Sequence, residues 1–174
     1  MQVRLAVEGE EEVGIGVDGE IQVRGPQVFG GYWNDGATTA AAFTSDGWFR
    51  TGDIGHLDRA TGHLVIRGRS KEVIISGGLN VYPREVEIAL ERHPAVAEAG
   101  VAGLPHEQWG EQVSAWVVLK AGSRLDPEAL IQHARSLLAP SKCPKQVCYA
   151  DALPRNHAGK IDRRGLAGMG GADQ

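Results

Sequence analysis

The chain contains 174 residues, of which 42% are apolar and 23% are charged, and its formal net charge is −4. This apolar content excludes an intrinsically disordered chain, and two cysteines are too few for a disulfide scaffold. No apolar stretch approaches the ~18 residues that a transmembrane helix needs, and the net acidity argues against nucleic-acid binding. Because cysteines are few and the first residues lack a signal-peptide pattern, we expect a cytoplasmic protein.

The first part of the chain is predicted to be rich in strands and glycine. Residues 20–24 alternate polar and apolar side chains, which predicts a strand, and the glycines that follow predict turns. Residues 37–43 favour one or two helical turns. Two β-rich runs at 63–67 and 72–76 flank a short polar segment, so we expect them to pair as a hairpin.

Beyond residue 72 the pattern becomes mixed. Pro83 suits the first position of a helix, and Asp126 followed by Pro127 predicts the start of a second one. The strands are predicted at 96–102, 112–119 and 146–150. The order β-α-β-β-α-β predicts a small α/β (α+β) domain over 72–166, a short sheet flanked by helices, and residues 167–174 are predicted to be a disordered tail.

Residues 142–164 depart from the acidic balance of the chain. They contain six basic side chains and only two acidic ones. A basic segment on an acidic protein is typical of a site for an anionic ligand, although a solvated basic tail has the same composition. The basic residues are Lys142, Lys145, Arg155, Lys160, Arg163 and Arg164.

Short motifs that match only in their letters indicate no site. Gly14, Gly16 and Gly19 have the spacing of a dinucleotide fingerprint, but a strand follows them where that motif needs a helix. The cysteines and histidines lack the spacing of metal ligands. The sequence therefore predicts no metal site.

Three longer segments carry a resemblance to a known superfamily. They are WFRTGD at 48–53, GRSKEVIISGGLNVYPREVE at 68–87 and LPRNHAGKIDRR at 153–164. In this order and spacing they resemble the C-terminal part of the adenylate-forming (AMP-binding) enzymes. The sequence of the second segment is most similar to that of acyl-CoA synthetases of the malonyl- and fatty-acyl-CoA type.

The resemblance implies a reaction in two steps. The carboxylate of an acid attacks the α-phosphate of ATP, which is used with Mg²⁺, and the CoA thiol then displaces AMP from the acyl adenylate. A small C-terminal domain of this superfamily rotates between the steps. Two alternatives stay open, namely an adenylation domain that loads a carrier protein and the non-catalytic half of a split ligase.

The resemblance also implies a domain division. Residues 1–68 correspond to a β-rich remnant at the end of the large N-terminal adenylation domain, 69–71 to a hinge, and 72–166 to the mobile C-terminal domain. Most of the ATP site and the acyl pocket belong to the large domain, which is therefore an expected partner. We expect the chain alone to form no acyl-CoA.

Lys160 is the implied catalytic residue. A primary ammonium on a long stem can contact both a substrate carboxylate and an α-phosphate, and it offsets the charge that develops during adenylation. Asp53 and Arg69 are the implied nucleotide-binding residues, since a carboxylate and a guanidinium suit ribose hydroxyls. Taken singly, they are also typical of a surface lysine, a turn aspartate and a hairpin arginine.

Lys71 is the implied hinge residue, since a hinge needs a position that absorbs a backbone change. Four further residues are implied in binding CoA and its pantetheine arm: Gly77, Gly78, Lys142 and Lys145. Glycine lets a ligand approach closely because it has no Cβ, and lysines can meet the CoA phosphates. The glycines are equally typical of a turn or bulge, and the lysines of a solvated face.

Overall fold

The computed structural model describes residues 1–7 and 11–169. The chain divides into two compact units, and the boundary falls between Lys71 and Glu72. Within the described residues, no helix has the length and apolar character that crossing a membrane requires.

The first unit is a four-stranded antiparallel sheet in the order β1-β2-β3-β4, with one short helix, α1. The predicted strand at 20–24 and the helical turns at 37–43 are confirmed. The Asp35 side chain caps α1 by accepting from the Thr38 N–H at 2.9 Å. The elements are β1 Gln2–Ala6, β2 Gly19–Arg24, α1 Gly36–Ala42, β3 Phe49–Leu57 and β4 Leu64–Arg69.

The predicted hairpin between 63–67 and 72–76 is wrong. β4 pairs with β3, whereas β5, Ile74–Ser76, belongs to the sheet of the second unit. The 3-10 turn Ser70–Glu72 separates the two strands. The β-rich composition predicted both strands, but it does not identify the partner with which each strand forms hydrogen bonds.

The second unit contains five strands and three helices among its described residues. β5, β6, β8 and β7 are antiparallel neighbours in the order β6-β5-β8-β7, and β9 runs parallel to β8. The predicted strands and both predicted helices are confirmed, while β6 and α4 were not predicted. The elements after β5 are β6 Leu79–Val81, α2 Pro83–Glu91, β7 Val96–His106, β8 Gly110–Leu119, α3 Pro127–Leu137, β9 Gln146–Tyr149 and α4 Arg163–Gly168.

Both faces of the second sheet are covered. Along β8, Val113, Ala115 and Val117 belong to the apolar cluster that includes α2 and α3. Trp116 belongs to a separate cluster with Leu153 and Leu166, from the segment that contains Lys160. Successive side chains of a strand point to opposite faces. The last part of the described chain, including α4, therefore packs on the face opposite α2 and α3.

Helix α4 extends into the region that was predicted to be a disordered tail from residue 167. Asp162 caps it by accepting from the Arg164 N–H at 3.1 Å, and Leu166 is completely buried. A Cβ at Gly100 would lie 2.8 Å from Cδ1 of Leu166, so glycine at this position of β7 allows the helix to approach. Residues 170–174 of the predicted tail lie outside the described residues.

Candidate functional site

Asp53 and Arg69 are register partners on β3 and β4. Nε of Arg69 lies 2.9 Å from Oδ1 of Asp53 in an ion pair, and the Asp53 side chain keeps 30% of its surface exposed. The sequence predicted Asp53 in a short loop, but it lies inside β3. The strand pairing thus brings together the two predicted nucleotide-binding residues. Side by side they offer both acceptors and donors to adjacent hydroxyl groups.

Lys71, the predicted hinge residue, is exposed and lies in the 3-10 turn Ser70–Glu72. It is the last residue of the first compact unit. A short turn at the end of a compact unit can change its backbone angles with the loss of few contacts. Hinge motion at residues 69–71 stays a prediction.

Lys160 lies in a tight turn, residues 155–161, which we call the lysine turn. The Lys160 N–H donates to Oδ1 of Asn156 at 3.1 Å, and the Lys160 carbonyl accepts from the Asn156 N–H at 2.8 Å. Gly159 has a φ of +74°, and its carbonyl accepts from the Arg155 guanidinium at 2.8 Å. The backbone at Lys160 is therefore held by several bonds. Its side chain is exposed and its ammonium has no partner among the described residues.

The base of the lysine turn is closed on both sides. Arg155 and Ile161 form a β-bridge, and the Asp162 N–H donates to the Pro154 carbonyl at 2.8 Å. Ile161 packs against the cluster on the second face of the sheet. Ile161 is half-buried and residues 155–160 are exposed, so the turn is anchored by packing at its base and by its own hydrogen bonds.

Gly77 and Gly78 join β5 to β6 in a two-residue turn, residues 76–79, which we call the glycine turn. Their φ angles are +57° and +78°. Positive φ at both central residues is typical of the type I′ hairpin turn, which glycine adopts most readily. A Cβ at Gly78 would meet no described atom within 4 Å, so the space beside it is open. At Gly78 the turn therefore exposes backbone with no side chain in front of it, whereas a Cβ at Gly77 would contact Cδ1 of Trp109 at 3.8 Å.

Trp109 connects the glycine turn to a third predicted residue. Its carbonyl accepts from the Gly77 N–H at 3.0 Å, and its indole lies 5.4 Å from Nζ of Lys145. The His106 ring stacks on the same indole, with centroids 4.3 Å apart. Sequence reasoning assigned no chemistry to Trp109, because an aromatic residue in a predicted loop does not reveal which distant turn it contacts.

Lys142 has a partner of its own. Its Nζ donates to both carboxylate oxygens of Glu85, at 2.9 and 2.8 Å. These bonds use two of the three N–H groups of the ammonium, and the Glu85 carboxylate offsets its charge. Lys145 is thus the predicted CoA lysine that the structure brings close to the glycine turn, and Lys142 is occupied by Glu85.

The described residues contain no group of three or more His, Cys, Asp or Glu side chains that could hold a metal ion. We assign no residue of this chain to Mg²⁺, and the chemistry of the proposed steps is derived from the side chains of this chain alone.

Comparison with known proteins gives consistent matches. Residues 85–160 match the AMP-binding enzyme C-terminal domain. The chain is 51% identical over 148 residues to the long-chain-fatty-acid--CoA ligase of Bacillus subtilis (strain 168), covering 85% of this chain and 26% of that protein. It is 49% identical over 148 residues to the 2-succinylbenzoate--CoA ligase of Geobacillus kaustophilus (strain HTA426), covering 85% and 30%. The chain thus spans less than a third of these relatives.

Solved structures agree with these relatives. ATP-bound MatB from Rhodopseudomonas palustris has a TM-score of 0.88 and 39% identity, covering 97% of this chain and 33% of that one. The o-succinylbenzoate CoA synthetase MenE from Bacillus subtilis, in complex with the acyl-adenylate intermediate OSB-AMP, has a TM-score of 0.88 and 38% identity, covering 95% and 33%. Residues 85–160 of the chain are therefore an AMP-binding enzyme C-terminal domain, and most of the chain is similar to part of these CoA ligases and synthetases.

Proposed function

We propose that the chain supplies the C-terminal part of an ATP-dependent, AMP-forming acyl-CoA synthetase. The observation that carries the proposal is Lys160, whose ammonium has no partner among the described residues although its backbone is held in a closed turn. An unpaired, pre-positioned cation is suited to charge that appears only during reaction. The free thiols of Cys143 and Cys148 are consistent with a cytoplasmic enzyme.

In the first step, a carboxylate oxygen of the acid bonds to the α-phosphorus of ATP, and the bond to pyrophosphate breaks. Two anions must approach each other, and negative charge is spread over the phosphoryl oxygens. The Lys160 ammonium would contact the carboxylate and an α-phosphate oxygen together, which orients the reactants and stabilises that charge. Asp53 and Arg69 would hold the ribose hydroxyls of the same nucleotide.

In the second step, the CoA sulfur bonds to the acyl carbon, the bond from that carbon to AMP breaks, and the thiol proton is released to solvent. The glycine turn would line the pantetheine arm, because its exposed backbone leaves room for a narrow chain. Lys145 would meet a CoA phosphate beside Trp109. Lys142 would have the same role through the one N–H that Glu85 does not use.

The test separates the two steps in the enzyme that includes the large domain. Lys160→Ala should lower adenylation, measured as pyrophosphate release, by about 10²-fold or more. Thioester formation from supplied acyl-AMP should keep its rate. Equal losses in both steps would contradict the role of Lys160.

The matched control is Lys120→Ala, which removes an exposed lysine whose Nζ donates to the Pro94 carbonyl at 2.6 Å. This variant should keep both activities.

Repeating the second step with a phosphopantetheinyl carrier protein in place of CoA identifies the acceptor. The isolated chain should release no pyrophosphate.

A further inference from the structure

Arg163 connects three separate segments of the second unit. Its Nε donates to Oε2 of Glu72 at 2.6 Å, and its Nη1 donates to the Val101 carbonyl at 3.0 Å and to Oε1 of Glu87. Glu72 is the last residue of the 3-10 turn Ser70–Glu72, Val101 lies in β7 and Glu87 lies in α2. The planar fork of a guanidinium can satisfy several acceptors at once, which a single ammonium cannot.

The contact with Glu87 is a structural requirement of the core. Glu87 is 1% exposed, and its Oε1 also accepts from the Val101 N–H at 3.1 Å. A buried carboxylate is costly unless it is paired and hydrogen-bonded. Burial would lower the pKa of Arg163, but the hydrogen bonds and charges of Glu87 and then Glu72 outweigh it and raise that pKa.

The contact with Glu72 has no such structural reason. The Glu72 side chain is 42% exposed, so water could replace the guanidinium at little cost. Glu72 is, however, the first residue of the second unit and directly follows the predicted hinge residue Lys71. The ion pair with Glu72 therefore links the hinge end of this unit to the segment that contains Arg163.

That segment is the one that presents Lys160. Arg163 is the first residue of α4, directly after Asp162, whose N–H closes the base of the lysine turn on the Pro154 carbonyl. Lys160 thus lies near the tip of the lysine turn, and Arg163 lies directly after its base. A displacement of Arg163 is transmitted through this short, hydrogen-bonded segment to the backbone of Lys160.

We propose that Arg163 is a positioning residue for Lys160, and that its ion pair with Glu72 sets the place of the lysine turn relative to the hinge end of the unit. The proposal rests on the proposed function, since it acts through Lys160. When the unit turns at the hinge for adenylation, the lysine turn follows as one body with residue 72. Without the ion pair, the ammonium is less well placed in the transition state.

The decisive variant is Glu72→Gln in the enzyme that includes the large domain, because it removes the exposed ion pair and leaves Glu87 paired. Adenylation should lose about tenfold to a hundredfold in kcat, as expected for a misplaced catalytic group, with KM for ATP unchanged. The thermal unfolding midpoint and thioester formation from acyl-AMP should both stay the same. A merely structural role would change the midpoint and would affect both steps equally.

Three further variants make the result specific. Glu128→Gln removes another exposed ion pair, with Arg135 at 3.6 Å on α3, and should change neither step. Arg163→Lys keeps the charge but not the fork, so its adenylation rate should fall at least as far as that of Glu72→Gln. The double variant Glu72→Gln with Arg163→Lys should be no slower than Arg163→Lys alone, since both changes remove the same interaction, the one between residues 72 and 163.

Lys160→Ala distinguishes the two proposals. If Lys160→Ala abolishes adenylation while Glu72→Gln keeps the parental rate, the positioning role is overturned and the proposed function stands. If Lys160→Ala itself keeps the parental rate, both are overturned.

Discussion

The second unit contains two tight turns that differ in how their backbone is held and in whether they expose a side chain. The lysine turn uses side chains to fix its backbone, through Asn156 and Arg155, and exposes one charged side chain at Lys160. The glycine turn is fixed by backbone bonds, including Gly77 to Trp109, and exposes no side chain at its two central residues. One turn delivers a charge and the other leaves a space.

The comparison teaches that each turn should serve one step of the proposed reaction. Adenylation brings anions together and benefits from an ammonium, whereas transfer to a thiol needs room for a long, narrow arm. Substitutions in one turn should therefore slow one step and leave the other unchanged. Any variant that slows both steps equally breaks the comparison.

After Lys160→Ala, the largest effect is expected for Gly78→Val, which forces a β-branched residue to a φ of +78° and fills the open space beside the glycine turn. The free energy of unfolding should fall by about 1–2 kcal/mol, because L-residues are strained in the left-handed region. Thioester formation from acyl-AMP should fall by about a hundredfold. Pyrophosphate release in the first step should keep its rate.

Gly122→Val is the matched control for this substitution. Gly122 has a φ of +76° and also has no described atom within 4 Å of a Cβ, but it lies in the loop before α3. It should lose the same unfolding free energy and keep both steps. Equal loss of thioester formation in the two variants would attribute the effect to strain alone.

The motif residues of both turns could be predicted from the sequence because they lie in the longer segments that carry the resemblance, although each residue alone is typical of a surface lysine or a turn. A lysine after a glycine and a pair of adjacent glycines are visible in the printed letters, and the fold class followed from the order of the elements. The short helix α4 was missed because Gly165 and Gly168 give it a poor intrinsic preference. It forms because Leu166 is buried and Asp162 caps it.

Contacts between distant residues could not be predicted. Arg163 lies 91 residues from Glu72 and 76 from Glu87, and no local pattern pairs them. The same reason explains the wrong hairpin, since β4 and β5 are neighbours in the chain and belong to different sheets. One sequence cannot reveal which of several charged residues a buried guanidinium will meet.

A smaller effect is expected for Asn156→Ala, which sharpens the comparison on the side of the lysine turn. Oδ1 of Asn156 accepts from the N–H groups of Ala158 at 2.9 Å and Lys160 at 3.1 Å. Without these bonds the turn samples more conformations, and adenylation should slow by about tenfold while thioester formation keeps its rate. Asn156→Asp keeps an acceptor oxygen and should retain most of the adenylation rate. If it is as slow as Asn156→Ala, the backbone bonds are not what holds Lys160.

The smallest effect concerns pH, and it should leave the comparison intact. Burial, together with the charges of His133 and Lys120, lowers the pKa of His93 below its usual value of 6.5. The unfolded chain therefore binds a proton more readily, so the free energy of unfolding should fall as pH drops below about 6.5 and should level off below the folded pKa. Urea unfolding between pH 5 and pH 8, ranges that bracket the histidine titration, measures this slope.

His93→Asn is the variant that isolates this histidine. Nδ1 of His93 accepts from the Ala95 N–H at 3.2 Å, and an asparagine oxygen can take its place without titrating. The slope of stability against pH should become shallower in the variant. Because His93 follows α2 and contacts Ala95 and His133, which belong to neither turn, the ratio of the two half-reaction rates should be the same in variant and parent at each pH. If the ratio of the two rates depends on pH in the parent but not in His93→Asn, a residue outside both turns affects the two steps differently. The assignment of one step to each turn would then be wrong.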